Sequence, residues 1–129
     1  MKNKKSGTDV SLFCEEEKMK DLTFRQLQDY LLEHYQQSRT EEGLFMKLVE
    51  EVGEVAEVLN GRSSRKEGVQ DSNEELAKEL ADVIHYTVAI AAINDIDLTK
   101  TIFEKDKTAA IKYQHERDLE GYLEAEGQN

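Results

Sequence analysis

Residues 47–54 read KLVEEVGE and residues 79–82 read ELAD, and the pattern around these two stretches predicts the fold of this chain of 129 residues. At about 100° per residue, the apolar residues around each stretch fall on one side of a helix. They are Leu44, Phe45, Leu48, Val49, Val52, Val55, Ala56 and Leu59 around the first stretch, and Leu76, Leu80, Val83, Ile84, Val88 and Ala91 around the second. Both stretches are therefore predicted to lie on amphipathic helices.

On either side of these stretches, residues that typically begin and end helices predict two further helices and an all-α fold. The predicted starts are Thr23, Thr40, Ser72 or Asn73, and Asp97 or Thr99, and the predicted ends include Ser38, Asn60-Gly61 and Glu116. We expect a four-helix bundle with antiparallel helices over residues 21–116, an N-terminal arm over residues 1–20, and a frayed tail over residues 117–129. The second half of the third helix is apolar nearly all round, which predicts a homodimer or homotetramer.

Composition narrows the class of partner. The chain contains 28 acidic and 17 basic residues, a formal net charge of −11, so it should repel polymeric nucleic acid. The longest apolar stretch, residues 83–93, is too short to cross a membrane. The single cysteine, Cys14, cannot form an intramolecular disulfide, which favours a cytoplasmic location.

Two pairs of acids border the apolar stripes. The pairs are Glu51 with Glu54 and Glu79 with Asp82, and antiparallel packing of their helices would bring the four carboxylates together. Their mutual repulsion predicts a hard divalent cation, Mg²⁺ with Mn²⁺ as a substitute, because the donors are all oxygen. The alternative is that these acids only solvate exposed helix faces, as we interpret Glu57, Glu74 and Glu75.

Together the two stretches resemble the MazG-like all-α nucleoside triphosphate pyrophosphohydrolases, whose mark is Glu-x-x-Glu followed, after a variable gap, by Glu-x-x-Asp. The resemblance covers about residues 22–113. It implies a Mg²⁺-dependent hydrolase that cleaves a nucleoside triphosphate between its α and β phosphates to the monophosphate and pyrophosphate, with nucleotide-pool cleansing as the expected role. A phosphoribosyl-ATP pyrophosphohydrolase shares these motifs and stays open as an alternative.

The resemblance also implies roles for individual residues. Glu51, Glu54, Glu79 and Asp82 match the metal ligands, and a glutamate among Glu50, Glu51 and Glu54 would activate water, with surface charge as the other interpretation of Glu50. Basic side chains of the last helix would bind phosphates, a role open to Lys105, Lys107 and Lys112. An asparagine common in relatives has no clear counterpart here, since Ala109 or Asp106 stands near its place.

Other side chains have two interpretations each. Lys47 could bind phosphate or form an ion pair with Glu51 one turn later. Tyr35 and Tyr86 could stack on a base or belong to the core, and we interpret His85 as a hydrogen-bonded packing residue because only one Glu/Asp-x-x-His motif occurs. For the whole chain, the rival functions are a non-catalytic helical interaction module and a cation-binding protein without turnover.

Overall fold

The computed structural model describes residues 20–35, 40–64 and 72–127, and these ranges contain five helices and no strand. The helices are α1 (Phe24–Tyr35), α2 (Glu41–Ser64), α3 (Ser72–Ile93), α4 (Leu98–Lys112) and α5 (Leu119–Gly127). The predicted all-α class is confirmed. Of the expected arm, residues 1–19 lie outside the described ranges, as does Ser38, the expected end of the first helix.

Three of the four predicted helix starts are confirmed by their caps, and the other helix, α3, begins at Ser72. Thr23 and Gln26 form a reciprocal capping box, in which the Gln26 amide donates to Thr23 Oγ1 at 3.1 Å and the Thr23 amide donates to Gln26 Oε1 at 2.9 Å. Thr40 Oγ1 accepts from the Gly43 amide at 3.0 Å. Asp97 caps α4 by accepting from the Lys100 amide at 3.2 Å.

Two predicted helix ends are wrong. Helix α2 continues past Asn60-Gly61 to Ser64, because Arg62 fastens this last turn to the start of α3 by donating to Ser72 Oγ at 3.0 Å and to Asn73 Oδ1. Helix α4 ends at Lys112, not near Glu116, because the backbone turns through the left-handed region at Gln114, with φ 57°.

A fifth helix follows where the sequence indicated a frayed tail. Asp118 begins α5 by accepting from the Gly121 amide at 2.9 Å, and the Leu119 amide donates to Asp106 Oδ2 on α4 at 2.6 Å. Lys107 of α4 also forms an ion pair with Glu120 at 2.5 Å. These polar contacts attach α5 to α4, while no residue of α5 is buried.

The core lies where α1, the start of α2 and the second half of α3 meet. Its buried members are Leu31, Tyr35, Leu44, Val88 and Ala89. Because Leu44 packs near Val88 while Arg62 contacts Ser72, α2 and α3 run antiparallel.

The remaining helices add little to this core: Leu98 at the start of α4 packs against it, and α5 has no buried residue. Helix α4 has its main contacts with α1 and α5, so the expected four-helix bundle within one chain is not confirmed. No helix among the described residues combines the length and hydropathy needed to cross a membrane.

Candidate metal centre

Three of the four predicted ligands meet between α2 and α3. One carboxylate oxygen from each of Glu51, Glu79 and Asp82 lies within 4.8 Å of the other two. The i, i+3 spacing places Glu79 and Asp82 on one side of α3, and the antiparallel packing brings Glu51 opposite them. Glu51 and Glu79 are half-buried and Asp82 is exposed.

Glu54, the fourth predicted ligand, is not part of this three-residue group. It is exposed and lines an adjoining groove of about 320 Å³ together with Glu57, Val58, Glu75 and Glu79. The acidic surface therefore extends one turn beyond the three clustered carboxylates, toward the end of the hairpin.

The electrostatics of the cluster are those of crowded negative charge. Partial burial is the largest cause that raises the pKa of Glu79, followed by its hydrogen bond with Glu51 and the nearby charges of Glu54 and Asp82. Ionised carboxylates at this spacing repel one another, and a divalent cation offsets that repulsion. Since all the donors are carboxylate oxygens, the residues fit Mg²⁺ or Mn²⁺ and not the nitrogen and sulfur preference of zinc.

Lys47 does not form the ion pair that we weighed for it. Its ammonium pairs with Glu50 at 3.1 Å, not with Glu51, and this hydrogen bond is the largest cause that raises the Lys47 pKa. The same nitrogen stands 5.9 Å from the centroid of the Tyr86 ring. Lys47 therefore lies one helical turn before Glu51 with contacts on both α2 and α3.

Helix α4 carries the three other lysines considered for phosphate binding. Lys107 is ion-paired with Glu120 and lies 4.0 Å from Asp118. Lys105 and Lys112 border a separate groove of about 420 Å³ on α4, and Lys112 stands 5.2 Å over the Tyr113 ring. Among the described residues, no hydrogen bond or ion pair joins these three lysines to the acids of α2 and α3.

His85 is the hydrogen-bonded packing residue that the sequence indicated. Its Nε2 lies 2.7 Å from Tyr35 Oη, and its ring meets Tyr86 edge-on with centroids 4.8 Å apart. Burial lowers the pKa of His85, so the neutral ring is favoured at neutral pH. Tyr35 belongs to the core, and Tyr86 packs against it.

Two groove residues were missed by the sequence analysis. Glu57 and Glu75, interpreted as surface charge, line the groove beside Glu54 and Glu79. The available signal was their helical spacing, since Glu57 is three residues after Glu54 and Glu75 is four residues before Glu79.

Comparison with known proteins places this geometry in context. Residues 39–115 match the model of the MazG nucleotide pyrophosphohydrolase domain. The chain is also 34% identical over 83 residues to proteins described as dCTP pyrophosphatase 1 from Rattus norvegicus and from Mus musculus, an overlap of 61% of this chain and 49% of each relative. The chain thus spans about half the length of the curated relatives it matches.

Proposed function

The chain belongs to the MazG nucleotide pyrophosphohydrolase family, and from this premise we propose that it is a Mg²⁺-dependent enzyme that hydrolyses a nucleoside triphosphate to the monophosphate and pyrophosphate. The observation that supports this most is the meeting of Glu51, Glu79 and Asp82 within 4.8 Å across two antiparallel helices. An acidic cluster would repel a bare triphosphate. It suits a substrate that arrives with a divalent cation.

The proposed ligands are Glu51, Glu79 and Asp82, with Glu54 beside them. A divalent ion bound there would neutralise phosphate charge and acidify water. The protein's own part is to orient the triphosphate and to accept a proton. Glu54 is a candidate acceptor because it is exposed in the groove next to Glu79, and Glu50 and Glu51 are the other candidates on the same helix.

Lys47 is the best supported of the proposed phosphate contacts. It is half-exposed on the helix that also supplies Glu51, and its ammonium is held between Glu50 and the Tyr86 ring. Tyr86 is the proposed aromatic contact for the substrate. Lys105, Lys107 and Lys112 remain proposed phosphate contacts on family resemblance.

The proposed substrate class is the deoxyribonucleoside triphosphates, and dCTP is the first to test because the relatives are described as dCTP pyrophosphatases. The experiment measures pyrophosphate release by the full chain from a panel of triphosphates and phosphoribosyl-ATP, with Mg²⁺, with Mn²⁺ and with EDTA. We expect Mg²⁺-dependent release from at least one triphosphate. Mg²⁺ binding without product would contradict the enzyme proposal and favour a cation-binding protein, and absence of both would favour an interaction module.

We also propose that the chain works as a homodimer or homotetramer. Phe45, Val49 and Val52 of α2 are 54%, 47% and 51% exposed, and Leu59, Leu80 and Ile84 are exposed as well. The acids border this face: Glu54 and Asp82 are about 200° around their helices from Val52 and Ile84, whereas Glu51 is about 100° from Val52 and Glu79 about 100° from Leu80. A second copy of the chain is the proposed cover for this apolar face, with the metal centre at its edge.

The proposed compartment is the cytoplasm, since the chain contains one cysteine and so cannot form an intramolecular disulfide.

A further inference from the structure

A series of ring contacts links α1, α3 and α2 beside the acidic cluster. It begins with the hydrogen bond of 2.7 Å between Tyr35 Oη on α1 and His85 Nε2 on α3. The two rings are nearly perpendicular, with centroids 5.7 Å apart, and His85 in turn meets Tyr86 at an interplanar angle of 71°. Tyr35 is only 7% exposed, so its hydroxyl is a fixed anchor for the imidazole.

The series ends at a cation. The Lys47 ammonium lies 5.9 Å from the Tyr86 centroid and 3.1 Å from Glu50 Oε1. A lysine side chain has four rotatable bonds, and fixing it in one place costs conformational entropy. A ring face below and a carboxylate beside the ammonium restrict it before any substrate arrives, which lowers the cost of binding.

We infer that Tyr35 and His85 are positioning residues: their hydrogen bond orients the His85 ring, which sets Tyr86 beneath Lys47 and so holds that cation for the phosphates of the substrate. This inference rests on the proposed function for the role of Lys47. The hydrogen bond of Tyr35 and the ring contacts of His85 lead to Lys47, a proposed phosphate contact, so loss of the Tyr35 hydroxyl should act on substrate binding more than on the chemical step. The charge of Asp82 also acts on the His85 ring, so the kinetic test is made at Tyr35.

The kinetic test compares Tyr35→Phe, which removes only the hydroxyl, with the matched control Tyr30→Phe, an exposed tyrosine on the same helix. With Mg²⁺-dCTP we expect Tyr35→Phe to raise KM about two- to fivefold and to leave kcat within about twofold. The expected change in KM corresponds to the loss of one exposed cation–π contact. The control should match the wild type. In a Lys47→Met background, Tyr35→Phe should raise KM no further. An equal further rise in that background would overturn the inference, because it would show that Tyr35 acts independently of Lys47.

A second measurement does not depend on turnover. NMR of the full chain labelled at lysine Cε should show the Lys47 resonance displaced by the Tyr86 ring current, and Tyr35→Phe and His85→Leu should each move it toward its value in Tyr86→Leu. An unmoved Lys47 resonance in both variants would overturn the inference. If the wild type released no pyrophosphate from Mg²⁺-dCTP, the first substrate proposal would fail while this measurement still decided the positioning role.

Discussion

At the scale of single residues, some acids of α2 and α3 have carboxylates that meet in one cluster, and others only lie on the exposed surface of these helices. Glu51, Glu79 and Asp82 form this cluster, Glu54 borders it, and Glu74 lies in the exposed first turn of α3. The sequence pairs predicted this division in part, because i, i+3 spacing sets a side of a helix. Spacing does not set how far each side chain reaches toward the neighbouring helix, so the position of Glu54 outside the three-residue group could not be predicted from the sequence.

The three clustered carboxylates and the adjoining Glu54 should be needed for turnover and not for folding. We predict that Asp82→Asn, Glu79→Gln and Glu54→Gln each lower kcat/KM for the preferred triphosphate at least about 100-fold, since a metal's contribution is several kcal/mol. Helicity by circular dichroism should stay unchanged, because the substitutions relieve repulsion and leave the core intact. Calorimetry should show weaker Mg²⁺ binding in the same variants.

Glu74→Gln is the matched control, because it removes one charge from the exposed first turn of the helix that carries Glu79 and Asp82. It should retain wild-type turnover and Mg²⁺ affinity. Undiminished turnover in both Asp82→Asn and Glu54→Gln would refute the assignment of these residues to the metal centre.

At the scale of elements, α1 is held to α3 by a few fully buried side chains. We predict that Leu31→Ala lowers the free energy of unfolding by about 2–5 kcal/mol, because Leu31 is fully buried in the core cluster. Its neighbour Leu32 is 40% exposed, so Leu32→Ala should cost less than about 1 kcal/mol. Urea unfolding measures both, and equal losses would contradict the described docking of α1.

The start of α4 gives a pH-dependent contribution to stability. Asp97 accepts from Arg25 Nη2 at 2.9 Å and from the Lys100 amide at 3.2 Å, and the Arg25 bond is the largest cause that lowers the Asp97 pKa. A lowered pKa means that the folded state favours the ionised carboxylate. The stabilisation is complete well above the ordinary value of 3.8 and is lost as the pH falls through the lower folded-state pKa.

Substitutions at Asp97 should distinguish the contribution of its charge to stability from that of its helix cap. At pH 7, Asp97→Ala should lower Tm by about 2–6 °C, and Asp97→Asn by less, since asparagine still caps a helix. Thermal unfolding at pH 7 and near pH 3 should show the gap between wild type and Asp97→Asn closing in acid. The exposed Asp29 provides the control Asp29→Asn, and a gap that is constant with pH would rule out the ion pair as its source.

The elements also show where sequence patterns suffice. Thr23, Thr40 and Asp97 were readable as helix starts because a cap is a local arrangement of one side chain and the next three amides. The continuation of α2 past Gly61 was not readable, because it depends on Arg62 reaching Ser72 ten residues later. Helix α5 was missed although its cap is local, since Asp118 accepts from the Gly121 amide, and only its attachment to Asp106 and Lys107 of α4 depends on distant residues.

At the scale of the whole molecule, the α2–α3 hairpin has an acidic side and an adjoining apolar side. The acidic side contains the proposed metal centre, and the apolar side contains Phe45, Val49, Val52, Leu80 and Ile84. A net charge of −11 opposes self-association in general. The apolar face contains none of the clustered acids, so two copies can meet there with little of that repulsion.

A lysine placed in this face should therefore separate the subunits. Sedimentation equilibrium of the wild type should give at least twice the chain mass of 14.8 kDa. Val52→Lys should raise the dissociation constant at least about 100-fold, because a buried charge without a partner costs several kcal/mol. Ile111→Lys is the control, since Ile111 is 79% exposed on α4 and lies outside this face. A monomeric wild type, or equal dissociation by both variants, would contradict the proposal that a second copy covers the apolar side of the hairpin.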